Sequence, residues 1–177
     1  MNIVEIIDFL ETTTLSITFS PKGLKYLSSK GNQGTKLVDL KSFRQREDWI
    51  ADLVISETAK FLETGKHSMP LDFSDFTEFQ QKVFNNVSKI RPGYLTTYKG
   101  IAELLGKPGA AQAVGNAIAK NPVAYFLPTH RVLPQKGIGI CKRGAGHLRE
   151  KLLLLEGHDL TQLRGNYTCT RKKCCME

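Results

Sequence analysis

Thr129, His130 and Arg131 stand directly after an apolar and aromatic stretch, residues 123–127, so three polar side chains close a segment that should be buried. Histidine titrates near neutrality, and beside a hydroxyl and a carboxylate it can act as a general base. Glu156 is the carboxylate that we pair with His130. A Thr-His-Glu set of this kind would do hydrolytic chemistry, but no oxyanion hole is recognisable beside it. The alternative, a histidine satisfied in the core with no chemistry, stays open.

A second set of residues lies just upstream. Residues 109–120 read GAAQAVGNAIAK, in which Ala110, Ala111, Ala113, Gly115 and Ala117 leave little side chain to hold a neighbour at a distance. Such a helix can approach a nucleic-acid groove closely, or it can bury its alanines in a core. Gln112 is the one long polar side chain between those alanines. The four cysteines, Cys141, Cys169, Cys174 and Cys175, fall late in the chain with no CxxC pair. A zinc site or disulfide framework is therefore not expected, and free thiols suit a reducing compartment. Cys141 has Lys142 and Arg143 beside it, which would favour its thiolate, although an incidental loop cysteine is the simpler reading. No metal or cofactor is expected.

The elements that must position these residues can be read from periodicity and turn chemistry. Residues 5–19 are rich in apolar and β-branched types and lead to Ser20-Pro21-Lys22-Gly23, a strand and turn, with residues 24–27 returning as a second strand. Residues 49–62 fit a helix stopped by Gly65. Residues 68–76, with Pro70, Asp72 and Asp75, read as a linker. Beyond it Phe76, Phe79, Val83, Phe84, Val87 and Ile90 recur at helical spacing until Pro92-Gly93. Thr96 or Thr97 caps a short helix that ends at Gly106, and Pro108 opens a third, residues 109–120, closed by Asn121-Pro122. Two short helices joined by a tight turn have the proportions of a helix-turn-helix. Residues 148–156 supply a final helix, and the tail lacks periodicity. The fold class expected is α+β: an N-terminal sheet-plus-helix domain with linker over residues 1–75, a mainly helical domain with a helix-turn-helix over 76–160, and a mobile basic tail over 161–177.

Charge separates the two halves. Residues 1–75 hold 9 basic and 11 acidic side chains, whereas residues 76–177 hold 16 basic and 6 acidic, so the second half carries all of the +8 excess. A basic half-chain favours a polyanionic partner, since each phosphate contact releases counterions; a solvated basic surface is the alternative. No apolar run approaches the roughly 20 residues of a membrane span, and the start MNIVEIIDFLE is acidic where a secretion signal is basic. The expectation is a cytoplasmic monomer, nuclear in a eukaryote.

From about residue 61 to 158 the chain resembles the methylated-DNA–protein-cysteine methyltransferases in order and spacing. The shared features are Pro70-Leu71-Asp72-Phe73, Thr77-Glu78-Phe79-Gln80, Pro92-Gly93, Thr97-Tyr98, Gly106-Lys107-Pro108, Ala113-Val114-Gly115, Asn121-Pro122, Pro128 with His130-Arg131-Val132, and Leu152-Leu153 with Glu156-Gly157. The resemblance implies minor-groove binding of duplex DNA by a helix-turn-helix, flipping of a 6-O-alkylguanine nucleotide into a pocket, and transfer of its alkyl group to a cysteine activated through water by a His-Glu pair. By position it implies that His130 and Glu156 are that pair, that Asn121 is a hinge asparagine, and that Tyr98 lies beside the flipped nucleotide's phosphate. Gln112 takes the place of an arginine that fills the vacated stack, and Thr97, Ala113, Gly115 and Arg131 are implied in DNA or lesion binding.

Three departures stand out. Thr129 occupies the acceptor position, and a threonine hydroxyl stays protonated where a thiol of pKa about 8.5 readily gives a soft nucleophile. Gln112 lacks a cationic fork, and Cys141-Lys142 replaces the Gly-Tyr usual over the guanine face. The function expected is binding of alkylated duplex DNA without alkyl transfer, in the manner of alkyltransferase-like proteins, with downstream repair proteins as further partners. The alternative is an active methyltransferase that uses Cys141, or one whose native cysteine has been replaced at Thr129.

Overall fold

The structure, a computed structural model, describes residues 14–28, 37–39, 49–123, 125–138 and 146–163. Residues 5–13 of the expected first strand, the loop with Cys141-Lys142, the other three cysteines and residues 164–177 lie outside the described residues. The architecture is α+β, and the chain divides into two compact units: Met1–Ser74 with Pro122–Phe126, and Asp75–Asn121 with Leu127–Glu177.

In the first unit β1 (Thr14–Ser20) and β2 (Gly23–Ser28) form an antiparallel hairpin across Pro21-Lys22, with a register shift between Thr18 and Phe19. β3 (Leu37–Asp39) pairs with the other edge of β1, giving the order β2-β1-β3. Backbone from two distant segments lies along β2. The Leu24 amide donates to the Pro70 carbonyl at 2.8 Å, Asp72 N–H donates to the Leu24 carbonyl at 2.9 Å, and Leu27 N–H donates to the Pro122 carbonyl at 2.7 Å. Gly23 is needed here, because a Cβ on it would stand 2.3 Å from the Pro70 carbonyl oxygen and its φ is +144°.

Residues 68–76, read as a linker, hold the boundary between the two units at Ser74, and their first part packs into the first unit. Met69 and Asp72 are buried, and Asp72 accepts from the Ser20 hydroxyl at 2.5 Å and from Ser74 N–H at 2.9 Å. α1 (Trp49–Thr64) buries Val54, Thr58 and Phe61 at one-turn spacing, satisfies the Thr58 hydroxyl on the Val54 carbonyl, and ends where Gly65 takes φ +69°.

In the second unit α2 (Glu78–Val87) starts at a reciprocal capping box between Thr77 and Gln80 and buries Val83, Phe84 and Val87. Two-residue strands β4 (Thr96–Thr97) and β5 (Val132–Leu133) pair in parallel. α3 (Tyr98–Leu104) is capped by Thr97, whose hydroxyl accepts from Gly100 N–H, and stops before Gly106 at φ +69°. α4 (Ala111–Ala119) follows a turn in which Lys107 lies over the Phe79 ring at 5.5 Å. It starts two residues later than expected and takes its cap from Ala110, without a side-chain hydrogen bond.

α5 (Gly146–Leu155) and α6 (Leu160–Leu163) close the unit over a core of Leu95, Leu133, Leu153 and Leu163. Each such side chain fully withdrawn from water contributes about 1.5–3 kcal/mol before entropy is counted. Residues 161–163, read as part of a mobile tail, belong to α6, because Leu163 is buried and its carbonyl accepts from Ile138 N–H at 2.8 Å. Residues 122–126, placed by sequence in the second domain, group with the first unit through β2. No helix among the described residues is long and apolar enough to cross a membrane.

Candidate functional site

The expected burial of the stretch before Thr129 is observed: Val123, Tyr125, Phe126 and Leu127 are all buried. Tyr125 takes φ +74°, a left-handed conformation that is costly for a bulky residue and that nothing in its residue type foretold. The chain then tightens into a 3-10 turn, Thr129–Arg131, in which Thr129 N–H donates to the Leu127 carbonyl at 2.7 Å and Arg131 N–H to the Pro128 carbonyl at 3.1 Å. β5 follows at once, so pairing with β4 fixes the turn from its C-terminal side.

His130 and Arg131 point inward, 6% and 1% exposed, and Thr129 is half-buried. Glu156 sits just past the end of α5, where Gly157 at φ +81° turns the chain away. Its carboxylate is the centre of the site. Oε1 lies 2.8 Å from His130 Nε2 and accepts from Arg131 Nη2 at 2.7 Å and Nε at 2.9 Å. Oε2 accepts from Arg131 Nε at 3.1 Å and Gly93 N–H at 3.3 Å, and Arg131 Nη1 donates to the Ile90 carbonyl at 2.5 Å. One buried network thus joins the turn after α2, the 3-10 turn and the end of α5.

Burial alone would raise the Glu156 pKa, but the hydrogen bonds from His130 and Arg131 and the charge of the Arg131 guanidinium outweigh it and hold the group down at about 2. For His130 burial wins over the pull of Glu156, so the imidazole is shifted below its ordinary value and is neutral at pH 7. With Glu156 ionised, Nε2 carries the ring proton and Nδ1 keeps a lone pair, an assignment that follows from the hydrogen bond. The site therefore has an oriented base of modest strength, and the residue before it, Thr129, has no thiol for that base to activate.

The other candidate residues fall into two groups. Gln112 and Ala113 are exposed on α4, Gly115 is half-buried with open space where a Cβ would stand, and Tyr98 and Asn121 are half-buried at the ends of α3 and α4. Thr97 and Arg131 differ from expectation. Thr97 is buried and its hydroxyl caps α3, while the Arg131 guanidinium is fully engaged inside the protein and is not presented to DNA. Residue order did not reveal that inward role of Arg131, nor the parts played by Gly93 and Ile90. Of the alanines whose facing was left open, Ala117 faces the core and Ala113 faces solvent.

Residues 78–158 match the family model described as 6-O-methylguanine DNA methyltransferase, DNA binding domain. A methylated-DNA–protein-cysteine methyltransferase of Mycobacterium leprae is 38% identical over 148 residues, covering 77% of this chain and 87% of that protein. One from Sulfurisphaera tokodaii is 41% identical over 93 residues, covering 52% of this chain and 58% of that protein. The chain thus spans about three fifths of the length of that archaeal relative. Among solved structures, Mycobacterium tuberculosis OGT in complex with DNA is similar at a TM-score of 0.62 and 26% identity, over 80% of this chain and 85% of that one.

Proposed function

Because the chain belongs to the methylated-DNA–protein-cysteine methyltransferase family, we propose that it binds duplex DNA carrying 6-O-alkylguanine and holds the flipped lesion without taking up its alkyl group. The observation that carries this reading is Thr129 in the turn immediately before His130, at the end of a network in which His130, Glu156 and Arg131 are fully engaged with one another. Displacement of an alkyl group needs a soft, ionisable nucleophile, and a hydroxyl beside a weak neutral base does not supply one.

DNA binding is supported by the basic second half of the chain and by the exposed, small-residue face of α4. The similar Mycobacterium tuberculosis OGT was solved in complex with DNA, which supports the same reading. Tyr98, Gln112, Ala113, Gly115 and Asn121 form the proposed DNA-facing set, with Thr97 and Arg131 acting from within as cap and clamp.

Fluorescence anisotropy with matched duplexes tests the reading. We expect a duplex with one 6-O-methylguanine to bind more tightly than the plain duplex, with affinity for both falling as salt rises. Equal affinity for the two duplexes would contradict lesion recognition.

A further inference from the structure

We infer that Asn116, one helical turn beyond Gln112 on the exposed face of α4, reads the minor-groove edge of a base pair near the lesion and favours G·C there. This rests on the proposed binding of DNA by the exposed face of α4, with the minor-groove approach that the family resemblance implies.

Gln112 and Asn116 are both exposed, while Val114, Ala117 and Ile118 on the opposite face are buried, so the two carboxamides share one outward side of a helix fixed by its core. Between them lies Gly115, where a Cβ would meet nothing within 4 Å, so no side chain there keeps a ligand away from the backbone. Four residues of α-helix rise about 6 Å, and two base-pair steps span about 6.8 Å, so Asn116 addresses a pair about two steps from the position that Gln112 occupies.

The chemistry selects the pair. In the minor groove A·T offers acceptors alone, whereas G·C adds the guanine 2-amino donor. A carboxamide carries both an acceptor oxygen and a donor NH2, so it can engage G·C through both groups, and opposite A·T its oxygen is left unpaired. A lysine or arginine at this position would find acceptors on either pair and would not discriminate in this way. Neutral carboxamides on an otherwise basic half-chain therefore read sequence, and the surrounding cations supply the phosphate attraction.

Inosine tests this directly, because an I·C pair keeps the major-groove pattern of G·C and lacks the 2-amino group. Anisotropy titrations of the full chain would use a 6-O-methylguanine duplex and its undamaged counterpart, with G·C replaced by I·C at each of three positions on either side of the lesion site. The expected result is a roughly three- to tenfold loss of affinity at one or two positions on one side, the size of one net hydrogen bond. In Asn116→Ala, an exchange a helix tolerates, G·C and I·C duplexes should bind alike. Wild-type protein that treats G·C and I·C alike everywhere, or Asn116→Ala that keeps the difference, overturns the inference. Sensitivity to I·C without preference for the lesion would sink lesion recognition and leave this inference standing. Lesion preference without that sensitivity would do the reverse, and failure to bind either duplex overturns both.

Discussion

Glu156 ties two buried side chains together, since its carboxylate meets both the His130 imidazole and the Arg131 guanidinium. Arg131 is almost wholly enclosed and directs Nε and Nη2 at this one carboxylate, so Glu156→Gln takes the negative charge out of a buried ion pair. Stability should fall by about 3 kcal/mol in urea unfolding, as for other buried pairs broken on one side, and a loss below about 1 kcal/mol would mean that the pair is replaceable. Thr129→Cys tests the other half of the site. With His130 oriented by Glu156, a thiol at that position should gain transfer of a methyl group from a 6-O-methylguanine duplex, read as an adduct on residue 129 by peptide mapping. Failure would place a second defect at the pocket, with Gln112 the first residue to restore. Residue order alone paired His130 with Glu156, because a histidine and a carboxylate are chemically complementary wherever the chain brings them. It did not show that Arg131 turns inward to the same carboxylate, since nothing local in the sequence tells the depth of a cation that follows a histidine.

Among the elements, α4 joins stability and binding most closely. Gly115 lies in the interior of that helix with open space at its Cβ position, so Gly115→Ala should stabilise the free protein by about 0.5–1 kcal/mol in urea unfolding. If this face enters a groove, the same added methyl should weaken DNA binding. Stabilisation with unchanged affinity would move the DNA contact elsewhere. Helix ends were legible in the sequence where a side chain or a glycine sets them, as Thr97 caps α3 and Gly65 and Gly106 take left-handed φ, whereas the Thr77-Gln80 capping box was not read as one. β3, α6 and the pairing of residues 70–72 and 122–123 with β2 were not legible. These are pieces of two to four residues whose partners lie far along the chain, so no local periodicity announces them.

For the molecule as a whole, acid should be the main destabilising condition. His67, His130 and His158 are each shifted below 6.5 chiefly by burial, and Glu156 and Asp72 are held down at about 2, the latter by the Ser20 hydroxyl and the Ser74 N–H. A folded-state pKa below the unfolded one means that the unfolded chain binds more protons between the two values, so all five groups make stability rise with pH. Their contribution is complete above about pH 6.5, declines first through the histidines, and is lost through the carboxylates as pH falls from 4.5 for Glu156, or 3.8 for Asp72, toward about 2. Urea midpoints should hold level from pH 8 to about pH 6.5 and fall from there to pH 3, and a flat profile over the whole range would contradict the buried network. The concentration of positive charge in residues 76–177 was visible in composition, and it sets the salt dependence expected of DNA binding.

The most direct measurement is the intact mass of the wild-type chain after incubation with a stoichiometric excess of a 6-O-methylguanine duplex, taken alongside analysis of the recovered DNA. The expected result is an unchanged protein mass with the methyl group still on the guanine. A methyl adduct on the protein, on Cys141 or on any other residue, with guanine restored in the DNA, would contradict the claim that this chain holds the lesion without consuming itself.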